Sequence, residues 1–203
     1  MYLSDATIKE LVAEGRLGIT PFDTSLVQPA SVDCRLGPEI KQMLGDGPLD
    51  PRQAGDVEWV TTVMPDSAPF RLERGAFALG HTLETYSFPA DILGIVDGKS
   101  SLGRIGLSIH VTAGFIDPGF HGQITLELAN TGPRDVLIWP GMAIAQVSFA
   151  SLDRAAERPY GSEGLGSRYQ GQTGATSSRY SAGTAPQASR RGQRQPISVR
   201  DRE

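Results

Sequence analysis

Glu127 stands in the run Gln123-Ile124-Thr125-Leu126-Glu127-Leu128, where polar and apolar residues alternate. Period-two alternation is strand geometry: Gln123, Thr125 and Glu127 share one face, and Ile124, Leu126 and Leu128 the other. A carboxylate in such a strand either faces solvent or is held where it can move protons. Upstream, Lys99, Ser100, Ser101 and Arg104 fall within six residues. Bases and hydroxyls so spaced suit anionic groups, with Ser100 placed to cap one helical turn and Arg104 adding a guanidinium fork. The same residues also read as a solvated turn with a capping serine. Between the two segments, Ile116-Asp117-Pro118-Gly119-Phe120-His121-Gly122 reads as a constrained turn feeding the Glu127 strand. Asp before Pro-Gly commonly begins such a turn, so Asp117 is either a turn former or a site carboxylate.

Several chemistries are excluded at once. Gly98-Lys99-Ser100 invites comparison with a phosphate-binding loop, which needs a glycine five places before the Gly-Lys pair. Leu93 stands there and Gly94 is out of register, while Gly103 and Gly106 interrupt the long helix that should follow. Cys34 is the single cysteine, so an internal disulfide and a thiolate zinc site are both ruled out. His81, His110 and His121 lack the close spacing of a metal-binding pair, and no zinc is expected.

The elements that must position these residues are mostly strands. Residues 4–14 read as a short helix, capped by Ser4, favoured by Asp5 at its positive end and stopped by Gly15, with Ile8, Leu11 and Val12 as its apolar face. After it come short segments punctuated by Gly and Pro, the clearest strands being 92–96, 123–129, 136–139 and 143–149, with Pro140-Gly141 as a tight turn. Long helices do not alternate with strands, so a jelly roll or distorted barrel is expected in place of a parallel sheet. At 203 residues the chain suits one core. From Gly161 the composition turns to Gly, Ser, Gln, Thr and Arg, and residues after about 175 are expected to be disordered.

The net charge of −4 is unevenly spread. From Thr173 onward six arginines face Asp201 and Glu203, so that end carries about +4 and the preceding chain about −8. A nucleic-acid binder carries its basic patch on the fold itself, so the tail reads as a solvated tether. No apolar run approaches the roughly 20 residues that span a bilayer, and Met1 to Asp5 lacks the order of a signal peptide. A soluble, cytoplasmic protein without a nucleic-acid or membrane partner is the expectation.

Taken together, residues 98–107, His110-Val111-Thr112-Ala113-Gly114-Phe115-Ile116-Asp117-Pro118-Gly119-Phe120 and Gln123–Leu128 closely resemble the dCTP deaminase family of the trimeric dUTPase superfamily. The similarity extends to Gly15-Arg16-Leu17, Gln28-Pro29-Ala30-Ser31-Val32-Asp33, Trp139-Pro140-Gly141-Met142, Arg158-Pro159-Tyr160-Gly161 and Tyr169-Gln170-Gly171-Gln172, about residues 1–179 in all. It implies an all-β, distorted barrel of the dUTPase-like type (1–160) with a closing arm (161–179) and a basic tail (180–203). It also implies a homotrimer with active sites at subunit interfaces.

By the same resemblance Glu127 is the catalytic glutamate, and Ser100 and Arg104 are the polar pair around the reactive carbon. Substrate-binding residues are implied across Lys99, Ser100, Ser101, Leu102, Gly103 and Arg104. Asp117 reads the sugar, and Thr125, Leu126 and Glu127 form the strand that holds the base. Gln146, Tyr160, Arg168 and Gln172 make further contacts, mostly to phosphate; Arg168 replaces the family's usual lysine, keeping charge but changing reach. Main-chain groups of 110–114 distinguish cytosine. Gly114-Phe115 resembles the bifunctional branch that turns dCTP into dUMP. Mg²⁺ travels with the triphosphate, and dTTP is a possible feedback inhibitor. The alternatives are a deaminase stopping at dUTP, a plain dUTPase, or an inactive nucleotide-binding trimer.

Overall fold

Ser4 begins the first element by chemistry the sequence displays: its hydroxyl accepts the Thr7 amide, opening helix α1 (Asp5–Ala13). Ile8 and Leu11 on one side of this helix are buried, and Gly15, at φ +70°, turns the chain away. The computed structural model describes residues 1–51, 57–112 and 114–180. Within them the strands are Gly18–Thr20 (β1), Val27–Gln28 (β2), Ser31–Arg35 (β3), Glu39–Met43 (β4), Trp59–Val63 (β5), Phe70–Leu72 (β6), Phe77–Ser87 (β7), Ile92–Gly98 (β8), Leu107–Ser108 (β9), Phe115–Ile116 (β10), His121–Asn130 (β11), Val136–Ile138 (β12) and Ala143–Ser151 (β13). A four-residue helical turn, α2 (Ser100–Gly103), follows β8.

The strands form two main antiparallel sheets. One runs β5-β4-β7-β11-β9, with β1 also on β7; the other runs β10-β8-β13-β3-β2, and β6 pairs with β12 separately. Among the described residues hydrogen bonding closes neither main sheet on itself, so the all-β expectation is met by an open, distorted barrel. Both sheets face one core: Ile124, Leu126 and Leu128 of β11 join Val96 of β8, Val147 and Phe149 of β13, and Val32 of β3. Leu126 and Leu128 are fully buried, each contributing about 1.5–3 kcal/mol relative to exposure. Among the described residues no helix is long and apolar enough to cross a membrane.

The longest strand, β7, is one that alternation did not reveal. Its inward positions include Thr82 and Glu84, polar residues that break the apolar pattern. Each is satisfied inside: Thr82 donates to the Glu84 carbonyl, and Glu84 accepts the Arg35 guanidinium at 2.7 Å and the Arg35 amide at 2.9 Å. Gly94 of β8 is required by packing, since a Cβ there would lie 2.6 Å from the Phe88 ring.

Residues 176–180, expected to be disordered, are instead tied to the fold. The Thr176 amide meets the Thr125 hydroxyl at 3.3 Å and the Arg179 amide meets the Tyr169 hydroxyl at 3.1 Å, while the neighbouring Ala175 is buried. These bonds use backbone donors that composition does not register. The rest of the predicted tail, 181–203, lies outside the described residues.

Candidate active site

β11 alternates buried and half-buried positions along its length, and Glu127 falls on the half-buried face. Its amide donates to the Ile109 carbonyl at 2.9 Å, so the chain before β10 runs alongside the strand. That places the amides of Val111 and Thr112 on Oε2 of Glu127, at 2.7 and 2.9 Å. Two donors on one oxygen fix the carboxylate's direction. They also occupy two main-chain groups of the 110–114 loop, the groups expected to distinguish cytosine.

The turn before β11 shapes the other end of this face. Gly119, at φ +89°, would bring a Cβ within 2.7 Å of Pro159, which makes glycine obligatory where the chain passes under the arm. Tyr160 is held there by its amide on the Pro118 carbonyl at 2.7 Å, with its ring centroid 6.0 Å from that of Phe120. Its hydroxyl accepts the Tyr169 amide at 2.9 Å, folding the arm back over the turn.

A cavity of about 670 Å³ results, lined by the polar residues Asp117, Thr125, Glu127, Tyr160, Arg168 and Gln172 and by the apolar residues Phe115, Met43, Trp59, Phe77 and Leu79. Seven of the expected residues are thus gathered in one place. Gln172 is oriented by its neighbour: Nε2 donates to the Gln123 carbonyl at 2.7 Å, and the reversed amide would set two oxygens against each other. Phosphate, an acceptor, can therefore meet only the second N–H of this group.

Lys99, Ser100 and Gly103 line a different recess of about 240 Å³, with His110 and Thr131. Ser100 is not the cap expected: Lys99 occupies that position without a side-chain capping bond, and Ser100 is the first helical residue. The helical turn starts one residue early because the Lys99 carbonyl already accepts the Leu102 and Gly103 amides. Lys99 itself pairs with Asp33 across the sheet at 2.5 Å. Arg104 closes the turn, its amide on the Ser100 carbonyl at 3.1 Å and its side chain exposed.

The remaining expected residues stand apart from both recesses. Ser101 is exposed, Leu102 packs against the core, and Gln146 opposes Asp33 and Asp97 in the sheet while accepting the Ser31 hydroxyl at 3.2 Å. Leu126 turns fully into the core, so only its main chain is available to a ligand. Gly114 accepts the Val96 amide at 2.8 Å, which holds the loop behind Glu127 against β8. Burial pushes the Cys34 thiol well above its ordinary range, removing it as a nucleophile. Among the described residues no three His, Cys, Asp or Glu side chains gather as a metal-binding group. Asp33 was not singled out from sequence; the only signal was its place in Ser31-Val32-Asp33, which does not disclose a partner 66 residues away.

Comparison with known proteins bears on this arrangement. Residues 2–152 match the family model described as dCTP deaminase-like. The chain is 50% identical over 182 residues to the "dCTP deaminase, dUMP-forming" of Mycobacterium ulcerans (strain Agy99), covering 88% of this chain and 95% of that one. It is 51% identical to the protein of the same name in Rhodococcus opacus (strain B4), over 88% and 96% of the two chains. Among solved structures, 2'-deoxycytidine 5'-triphosphate deaminase from Agrobacterium tumefaciens superposes with a TM-score of 0.58 at 25% identity, over 74% of this chain and 48% of that one. This chain spans about half the length of that solved chain. By the family model over residues 2–152 and by half identity over most of both chains, the chain belongs to the dCTP deaminase-like family.

Proposed function

We propose that this chain deaminates dCTP by hydrolysis and carries the product on to dUMP, releasing ammonia and pyrophosphate. The observation that carries this reading is Glu127, set by two backbone donors on the wall of a cavity that also holds Asp117, Thr125 and the arm residues. The names of the relatives at about half identity support the same product.

Glu127 takes a proton from the attacking water as oxygen bonds to C4 of cytosine, and delivers it to N3. It then moves the proton of the new C4 hydroxyl to the amine. The C4–N bond breaks, ammonia leaves and the uracil carbonyl forms. Thr125 and the main chain of β11 hold the base, and Asp117 meets the sugar. In the second step water attacks the α-phosphorus and pyrophosphate leaves, with Asp117 the residue placed to orient that water. The substrate is the Mg²⁺ complex of the nucleotide, since a bare triphosphate would carry its full charge into the site. Tyr160, Arg168 and Gln172 close over it and exclude water.

The site is completed by a second copy of the chain, as in a homotrimer. Ser100 and Arg104 lie outside the cavity of their own Glu127, so a neighbour must bring them to it. Exposed apolar side chains beside both segments, Ile105 near Arg104 and Val111 near Glu127, give copies a surface on which to meet.

The test is an early time course of dCTP products by ion-exchange chromatography. dUMP and pyrophosphate should rise together with ammonia and without free dUTP. Accumulation of dUTP as the end product would overturn the second step, and unchanged dCTP would overturn the whole reading.

A further inference from the structure

Among the described residues, no strand pairs with the arm beyond Gln172, and its one β-bridge to the barrel is Gly122 to Gln172. Three successive amides past that point are nevertheless satisfied, each by a side chain. Gly174 donates to Oε1 of Gln123 at 2.7 Å, Ala175 to Oε1 of Glu39 at 3.0 Å, and Thr176 to the hydroxyl of Thr125 at 3.3 Å. Gln123 is itself fixed, with Nε2 on the Leu83 carbonyl at 3.2 Å and its main chain bonded both ways to Gln172. The fit is close: a Cβ on Gly174 would stand 2.8 Å from the Glu39 carboxylate, and one on Gly122 would stand 2.8 Å from the Gln172 carbonyl. Ala175 is sealed, at 1% exposure.

The position of this fastening gives it a function. Arg168, Tyr169 and Gln172 before it, and Thr176 and Ser178 at or after it, all line the Glu127 cavity. A strap pinned at 174–176 fixes both flanks of the lining at once. Residues 161–180 hold many glycines and few buried apolar residues of their own, so bonds of this kind, together with the Tyr160–Tyr169 bond and the Gly122–Gln172 bridge, hold the arm in place. We propose that Glu39 and Gln123 are positioning residues for the reaction, holding the arm so that Arg168 and Gln172 meet the triphosphate. This assignment rests on the dCTP reading for its chemistry, but the fastening itself does not.

The full-length chain and its Glu39→Ala, Gln123→Ala and Glu39→Gln variants are compared by amide hydrogen exchange and by steady-state kinetics on Mg²⁺-dCTP. Loss of one such bond opens a segment by about five- to tenfold, so both alanine variants should exchange residues 171–176 faster by about that factor, with β7 and the part of β11 after Ile124 unchanged. KM for dCTP should rise by a similar factor while kcat falls less. Glu39→Gln keeps an acceptor for the Ala175 amide and should restore both readouts, which a loss of general stability would not do. Unchanged exchange at 171–176 overturns the fastening. Faster exchange with unaltered KM overturns the positioning role. Absence of dCTP turnover in the unaltered chain would refute the substrate reading instead, and exchange would still decide the fastening.

Discussion

The Glu127 carboxylate and the Val111 amide lie 2.7 Å apart, so the loop before β10 is tied to the polar face of β11. Behind that loop Gly114 leaves little room: a Cβ there would meet the Val96 carbonyl at 3.2 Å and the His110 ring at 3.5 Å. Gly114→Ala should therefore shift the loop by a few tenths of an ångström and lower kcat about tenfold, because small misplacements of a reacting group are costly. Thermal melting should change little. Wild-type kcat in this variant would show that the loop does not set the carboxylate.

Ser100 and Arg104 serve a neighbour's Glu127 if the site is shared. Arg104→Ala and Glu127→Gln should then each be inactive alone. Mixed at equal amounts and allowed to exchange subunits, they should regain activity at about a quarter of the sites, the share in which both contributors are intact. Mixtures that stay inactive after confirmed exchange would place all catalytic groups in one chain.

His81 gives the fold a dependence on pH. It is buried, with Nδ1 bonded to the Thr82 carbonyl and Nε2 accepting the Glu39 amide at 3.3 Å, a pattern that needs the neutral ring. Burial holds its pKa below the ordinary 6.5. The unfolded chain therefore binds the extra proton first, and stability falls as pH drops below about 6.5, at up to roughly 1.4 kcal/mol per pH unit from this group. Denaturant melts between pH 5 and 8 should show this slope in the parent and lose it in His81→Gln. Equal slopes would remove His81 from the account.

The arm and the tail should separate cleanly. Ending the chain after Tyr180 keeps every described arm contact and should leave turnover within about twofold. Ending it after Pro159 removes Tyr160, Arg168 and Gln172 from the cavity and should nearly abolish turnover, while the strands remain. Kinetics of both truncated proteins decide the point, and equal activity would refute the closing arm.

What the sequence disclosed follows from which interactions leave a local pattern. β11 was legible because Ile124, Leu126 and Leu128 alternate with polar residues, and Glu127 with it. β7 was hidden because Thr82 and Glu84 point inward, compensated by Arg35, a residue 49 positions away from Glu84. Lys99 was legible as a base beside serines, but its partner Asp33 was not. The order of 176–180 was missed because it depends on single acceptors, the Thr125 hydroxyl on β11 and the Tyr169 hydroxyl in the arm, which composition does not record.

The central claim is that Glu127 shuttles protons in dCTP deamination, and ammonia release by Glu127→Gln tests it most directly. Glutamine keeps an oxygen for the Val111 and Thr112 amides and loses the exchangeable proton, so the loop stays while the chemistry stops. Ammonia release from Mg²⁺-dCTP should fall by at least about a hundredfold, with dCTP affinity within about threefold of the parent by calorimetry. Release at more than a few per cent of the parent rate, in protein that melts normally, would contradict the account.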